Sequence, residues 1–279
     1  MEEPLPETSR PVRVGVAGCG SQGSALARAA ILTPAVRLVA CADPDPAAAA
    51  GVAALAGEVS SYSSIEALLD QTAVDAVLVA TPNHLLYPVS LAAVRAGKHV
   101  LAEKPIGLNA QEAAALEEEA ARAGVRYMAG YCLRFWLARH VRDLLAAGVA
   151  GEIRALTGVF AGEPLDDGWS AFTETGGGPL LFLGSHLVDM ILWFAGDDAV
   201  EISGSIRRRS DTGTDDTSAF QVHFGRGAIA QCLLHIELRF RVVGGNHLNT
   251  STLYQGVDIL GVMFQRIRQD LLCVLLLVF

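Results

Sequence analysis

Three short segments carry the residue types from which chemistry could be built. Glu103-Lys104-Pro105 follows the apolar run His99 to Ala102 and so places an amine at the end of a strand. His186 and Asp189 are three residues apart, which on a helix puts an imidazole and a carboxylate on one face. Gly18, Gly20 and Gly23 form a GxGxxG pattern, the spacing that lets bare backbone approach a phosphate. Lys104 is the most pointed of these. Of 21 basic residues only Lys98 and Lys104 are lysines, and a buried lysine can release its proton whereas arginine cannot. Two readings stay open for Lys104: a proton-handling or substrate-binding amine, or an ion pair with Glu103 in a solvated turn. Lys98, ahead of an apolar strand, reads as a surface residue.

The elements that must position these groups follow from periodicity. Val12 to Ala17 alternates as a buried strand, and a helix-forming run, Ser24 to Leu32, comes after the glycines. Gly18 permits the turn, Gly20 lets a pyrophosphate approach, and Gly23 lets helix and strand pack closely, with Ser21 and Gln22 in the same loop. Free N–H groups and the helix dipole then face the anion. A second strand, Val36 to Ala42, ends at Asp43, where a dinucleotide fold places the carboxylate that binds the ribose 2′-OH. That carboxylate would repel a 2′-phosphate, so NAD is favoured over NADP. The bland alternative is a glycine-rich turn in another α/β protein.

Strand and helix patterns then alternate. A proline-opened helix spans Pro46 to Ala56, a short strand lies near Val59, and a helix from Ile65 is read as capped by Ser63. Val74 to Ala80 is a continuous apolar strand bounded by Thr81-Pro82, and His84 to Ala96 carries helical spacing. Strand His99 to Ala102, a helix opened by Asn109 and Glu112, and strand Val125 to Ala129 complete residues 1–130. Strands buried on both faces and joined by helices imply a doubly wound parallel sheet with its ligand beyond the strands' carboxyl ends. The glycine loop, Asp43, Thr81-Pro82-Asn83-His84 and Glu103-Lys104 each follow a different strand, so they share one crevice. His84 reads either as a cofactor contact or as a cap or surface group.

The glycine loop, Thr81-Pro82-Asn83-His84, Glu103-Lys104-Pro105 and the later Gly176-Gly177-Gly178 occur in an order that resembles the Gfo/Idh/MocA family, the glucose-fructose oxidoreductase and inositol dehydrogenase relatives. The resemblance runs from about Val12 to about Ile236. It implies a Rossmann domain followed by an α/β substrate and oligomerisation domain at residues 131–238, whose open, largely antiparallel sheet carries a sugar or polyol site. It also implies that Lys104 binds the reacting hydroxyl or carbonyl and assists proton transfer, that Pro105 follows a cis bond, and that Glu103 lies near the nicotinamide ribose.

In the second half, Phe135 to Ala147 reads as an amphipathic helix and Glu152 to Phe160 as a strand. A helix runs from the Gly176–Gly178 segment through Phe194, and Val200 to Arg207, Thr217 to Phe224 and Gly227 to Glu237 have strand composition. Phe182, His186 and Asp189 fall on one face of that helix. Polyol-oxidising members of the resembled family carry Asp-x-Gly-x-His here, and this chain has Phe182-Leu183-Gly184-Ser185-His186, so Phe182 stands where they have the aspartate. His186 is read as a catalytic acid/base or substrate contact, or as a helical histidine tied to Asp189. Tyr131 and Arg134 follow the sixth strand. Arg134 could fork onto a substrate carboxylate or phosphate, or make an interdomain salt bridge. Trp169, near Asp166 and Asp167, could stack on a sugar ring.

Composition sets exclusions. The 279 residues are 51% hydrophobic with net charge −9, and no basic stripe offers a footprint for nucleic acid. The five cysteines form no CxxC pair, no leader precedes the first strand, and the histidines lie in no ligand pattern, which fits a reducing cytoplasm and no metal. Leu271 to Phe279 is apolar but far short of the roughly 20 residues of a bilayer span. Residues 239–279 contain no alanine and no proline, a shift read either as an atypical tail from a frameshift or misannotated terminus, which leaves the second sheet short of strands, or as a short native apolar tail used in oligomer contact. The expected activity is hydride transfer between NAD and a sugar or polyol by a protein that assembles with itself through the second sheet if that sheet is complete. The alternatives are an NAD-containing glycoside hydrolase or lyase working by transient oxidation, and a non-catalytic NAD or sugar sensor.

Overall fold

The computed structural model describes residues 10–135, 137–149, 151–162, 168–236, 262–266 and 272–278. The chain divides after Gly130 into two compact units.

The first unit holds one sheet of β1 (Val12–Ala17), β2 (Val36–Ala42), β3 (Ser60–Tyr62), β4 (Ala76–Val79), β5 (His99–Ala102) and β6 (Tyr127–Ala129), in the order β3-β2-β1-β4-β5-β6. Every pairing is parallel. Five helices connect the strands: α1 (Ser21–Ile31), α2 (Pro46–Ala53), α3 (Ile65–Gln71), α4 (Asn83–Arg95) and α5 (Ala110–Ala123). Strand order reverses between β1 and β4, which creates the switch-point crevice of a doubly wound fold. Val16, Val77, Val79 and Ala40, all inaccessible, show why these strands read as apolar runs. At the start of α5 the Asn109 side chain accepts from the Glu112 N–H at 2.9 Å, and Glu112 accepts from the Leu108 N–H at 2.8 Å. The α3 cap is Ser64, not the expected Ser63: Ser64 has extended backbone and its hydroxyl accepts from the Ala67 N–H.

The second unit opens with a 3₁₀ turn (Cys132–Phe135) and α6 (Leu137–Ala146), where one longer helix was expected. Its sheet contains β7 (Ala155–Gly162), β8 (Ala199–Arg208), β9 (Asp215–Phe224), β10 (Ile229–Ile236), β11 (Val262–Arg266) and β12 (Leu272–Val278), in the order β11-β12-β7-β10-β9-β8. All pairs are antiparallel except β7 with β10. Leu272–Val278, a β-forming run without a breaker, pairs with Ala155–Ala161 of β7, and β11 pairs with it in turn. The rest of the tail, residues 237–261, 267–271 and 279, lies outside the described residues, as do Asp166 and Asp167.

The helix expected from Gly178 through Phe194 is broken. After α7 (Thr173–Gly176), α8 (Pro179–Phe182) stops at Leu183 and α9 (Gly184–Ala195) continues with a bend of 42°. Gly184 allows Leu180 to close in, since a Cβ there would stand 2.9 Å from Leu180 Cδ1. Phe182 thus leaves the helix that carries His186 and Asp189. Leu187, Ile191 and Phe194 of α9 pack on Leu156, Phe160 and Leu234 of the sheet. Each such buried side chain contributes about 2 kcal/mol. Among the described residues no single helix is long and apolar enough to cross a bilayer.

Candidate active site

At the carboxyl ends of the first sheet, main-chain bonds align the loops side by side. The Gly18 N–H donates to Ala42 O at 2.9 Å, Ala80 N–H to Ala17 O at 2.8 Å, and Glu103 N–H to Val79 O at 2.8 Å. Gly18 has φ +88°, and a Cβ there would lie 2.6 Å from Ala80 O, so the glycine turn is pressed against the end of β4. A Cβ on Gly23 would lie 1.8 Å from Gly18 O, whereas one on Gly20 would meet no atom within 4 Å. The loop is closed behind and open in front. Gly20 precedes α1 without a side-chain cap, and Ser21 and Gln22, its first two residues, are exposed. The Asp43 carboxylate accepts from the Cys19 N–H at 2.7 Å and from the Asp45 N–H at 2.8 Å, which fixes it at the loop mouth.

These residues fit a dinucleotide: open backbone for a pyrophosphate before Gly20, and an anchored acid one strand away for a ribose hydroxyl. Thr81 and Pro82 form the β4–α4 turn, with Asn83 buried and His84 half-buried in the first turn of α4. Glu103 and Lys104 are half-buried after β5, and the Lys104–Pro105 peptide is cis. Burial pushes the Glu103 carboxyl above its ordinary range, with the neighbouring lysine pulling the other way.

In the second unit, His186 and Asp189 are both buried on α9. Asp189 is held by Arg134. Arg134 Nε donates to one carboxylate oxygen at 2.8 Å and Nη2 donates to the other, while the guanidinium lies 5.5 Å from the Trp193 ring centroid. Burial raises the Asp189 carboxyl, and the Arg134 bonds oppose that rise. The arginine read as a possible substrate fork thus has two of its donors turned on a residue of its own unit. The Tyr131 ring meets His186 edge-on, with centroids 6.0 Å apart at 84°, and burial followed by the Asp189 charge raises its phenol. Trp169 packs edge-on against Phe182 with centroids 5.6 Å apart.

Sequence reasoning missed Asp215, which accepts from the Leu180 N–H at 2.8 Å and from the Ser218 hydroxyl at 3.3 Å. It also fills the space a Cβ on Gly178 would need. A buried Asp-Asp pair opening a strand was the only available signal. Among the described residues, no group of three or more metal-ligating side chains is found.

Comparison with known proteins agrees with this geometry. The family described as "Oxidoreductase family, NAD-binding Rossmann fold" matches residues 12–131, and the GFO/IDH/MocA C-terminal domain matches residues 138–245. A dTDP-3,4-didehydro-2,6-dideoxy-alpha-D-glucose 3-reductase of Saccharopolyspora spinosa is 35% identical over 223 residues, covering 74% of this chain and 67% of the relative. D-glucoside 3-dehydrogenase of Escherichia coli is 31% identical over 199 residues, 70% of this chain and 57% of the relative. The crystal structure of GenD2 from gentamicin A biosynthesis in complex with NAD superposes with TM-score 0.77 at 26% identity, over 84% of this chain and 68% of that one. With a glycine loop shaped for a dinucleotide and both halves matched in order, this chain belongs to the GFO/IDH/MocA oxidoreductase family.

Proposed function

We propose that the protein is an NAD-dependent oxidoreductase acting on a hydroxyl or carbonyl carbon of a sugar or polyol. The observation that carries this reading is the glycine loop, closed behind Gly23, open before Gly20, and flanked by the anchored Asp43 carboxylate. NAD, when bound, supplies the hydride acceptor or donor. Backbone N–H groups at Gly20, Ser21 and Gln22 hold the pyrophosphate, Asp43 the ribose hydroxyls, and Thr81, Pro82, Asn83, His84 and Glu103 line the remainder. Lys104 binds the reacting oxygen and moves its proton, and His186 is the second acid/base and substrate contact. Trp169 is a further substrate contact, whereas two of the Arg134 donors are taken by Asp189. The names of the relatives, a sugar 3-reductase and a glucoside 3-dehydrogenase, support the substrate class.

One observation favours a second reading, a non-catalytic NAD or sugar sensor: Phe182, at the position where the family resemblance implies an aspartate, packs on Trp169. Self-association through the second sheet is proposed on the exposed apolar residues Val200, Ile202 and Ile206 of β8.

NADH fluorescence titration, followed by absorbance assays with D-glucose, methyl glucoside and myo-inositol, tests the assignment. Lys104→Ala is expected to keep NADH binding and lose turnover, and equal turnover in both proteins would reject the lysine's role. Binding without turnover across the panel would favour the sensor.

A further inference from the structure

Among the contacts that join the turn at 131–135 to α9, two have matching spacing. Tyr131 meets His186 and Arg134 meets Asp189. On α9 the two recipients are three residues apart, one helical turn, on one face. On the other side Tyr131 and Arg134 are also three apart, in a 3₁₀ turn closed by the Arg134 N–H donating to Tyr131 O at 3.2 Å. Residues three apart eclipse in a 3₁₀ turn, so both side chains reach the same helix face. The ion pair is anchored on a carboxylate side chain 8% exposed, and Trp193 covers the guanidinium.

We propose that the 131–135 turn is a two-point clamp in which Arg134 fixes the turn to α9 and Tyr131 sets the orientation of the His186 imidazole. His186 Nδ1 is buried, so the setting of the ring is decided by the side chains around it and not by solvent. Tyr131 and Arg134 are positioning residues in this scheme. Only the turnover part of the test rests on the oxidoreductase reading.

The test compares Tyr131→Phe, which keeps the ring, with Tyr131→Leu, which removes it. The first readout needs no activity: the Cε1–H resonance of His186 in ring-¹³C-histidine-labelled protein, assigned by its absence in His186→Gln. Tyr131→Phe should leave the resonance in place and Tyr131→Leu should shift it as the aromatic edge is lost. In turnover of methyl glucoside or myo-inositol, Tyr131→Leu should lower kcat about tenfold or more with KM and NADH affinity unchanged, because small misplacement of an acid/base costs up to about 100-fold. Tyr131→Phe should restore both readouts. If Tyr131→Leu fails to fold, the double variant Arg134→Met with Asp189→Leu releases the turn without leaving a buried charge and should shift the same resonance. A folded Tyr131→Leu with an unmoved resonance, or a Tyr131→Phe that behaves like it, overturns the clamp. A shifted resonance in a protein that turns over no sugar would leave the clamp standing and reject the oxidoreductase reading.

Discussion

The glycine loop of the first unit is shaped by main chain, whereas the His186 helix of the second is fixed by side chains from a turn about 50 residues earlier. In the loop, small residues remove obstacles, and the ligand-facing groups are backbone N–H donors that every residue carries. On α9 an arginine, a carboxylate and two aromatic rings must meet, so the arrangement depends on which side chains are present. A backbone site should be sensitive to added atoms, and a side-chain site to removed ones.

Gly23→Val is the sharpest way to break this contrast. Its first added atom falls 1.8 Å from Gly18 O, so the loop must unfold or move. NADH binding should be lost and stability should fall by about 3 kcal/mol or more, read by fluorescence titration and thermal melting. Arg134→Met is the counterpart by removal. It leaves Asp189 buried without its partner, and because the arginine is 41% exposed the loss should be about 2 kcal/mol, below the range for a wholly buried pair. NADH affinity should not change.

Gly20→Ala separates shape from stability. Its methyl meets no protein atom within 4 Å, so the melting temperature should hold while NADH affinity drops by about tenfold, or about 1.4 kcal/mol. Equal affinity would place the phosphate elsewhere. The smallest effect concerns Asp75, immediately before β4 and so at the opposite end of that strand from the glycine loop. Arg10 donates to its carboxylate at 2.7 and 2.8 Å and the Arg13 N–H at 2.8 Å, which holds its pKa at about 2. A depressed acid contributes stability above its unfolded value, and that contribution is lost as pH falls from about 4 to 2. Asp75→Asn should flatten this acid limb by about 1 kcal/mol, a figure reduced for the exposure of Arg10. Urea titrations at pH 5 and pH 2.5 would measure it.

The first unit was largely legible because its signals are local: glycine spacing, alternating apolar runs, and acids and prolines at element ends. Even there, Ser63 and Ser64 are adjacent hydroxyls, and only backbone angles decide which one caps. The second unit hides more. Phe182-Leu183-Gly184 does not by itself specify a bend of 42°, because a lone glycine is also tolerated inside a straight helix. Residues His186 and Asp189 were legible as one helix face, but the partner of Asp189 lies 55 residues away in Arg134. The parallel pairing of β7 with β10 also depends on a long connection that returns across α9.

The anchoring of Asp43 bears on any effort to convert this protein to a phosphorylated nicotinamide cofactor. Its carboxylate does more than repel a 2′-phosphate, since it also holds the Cys19 and Asp45 amides. A swap to serine or arginine would release the rim of the loop along with the charge, so redesign there must supply a replacement acceptor for Cys19 before it adds a cation.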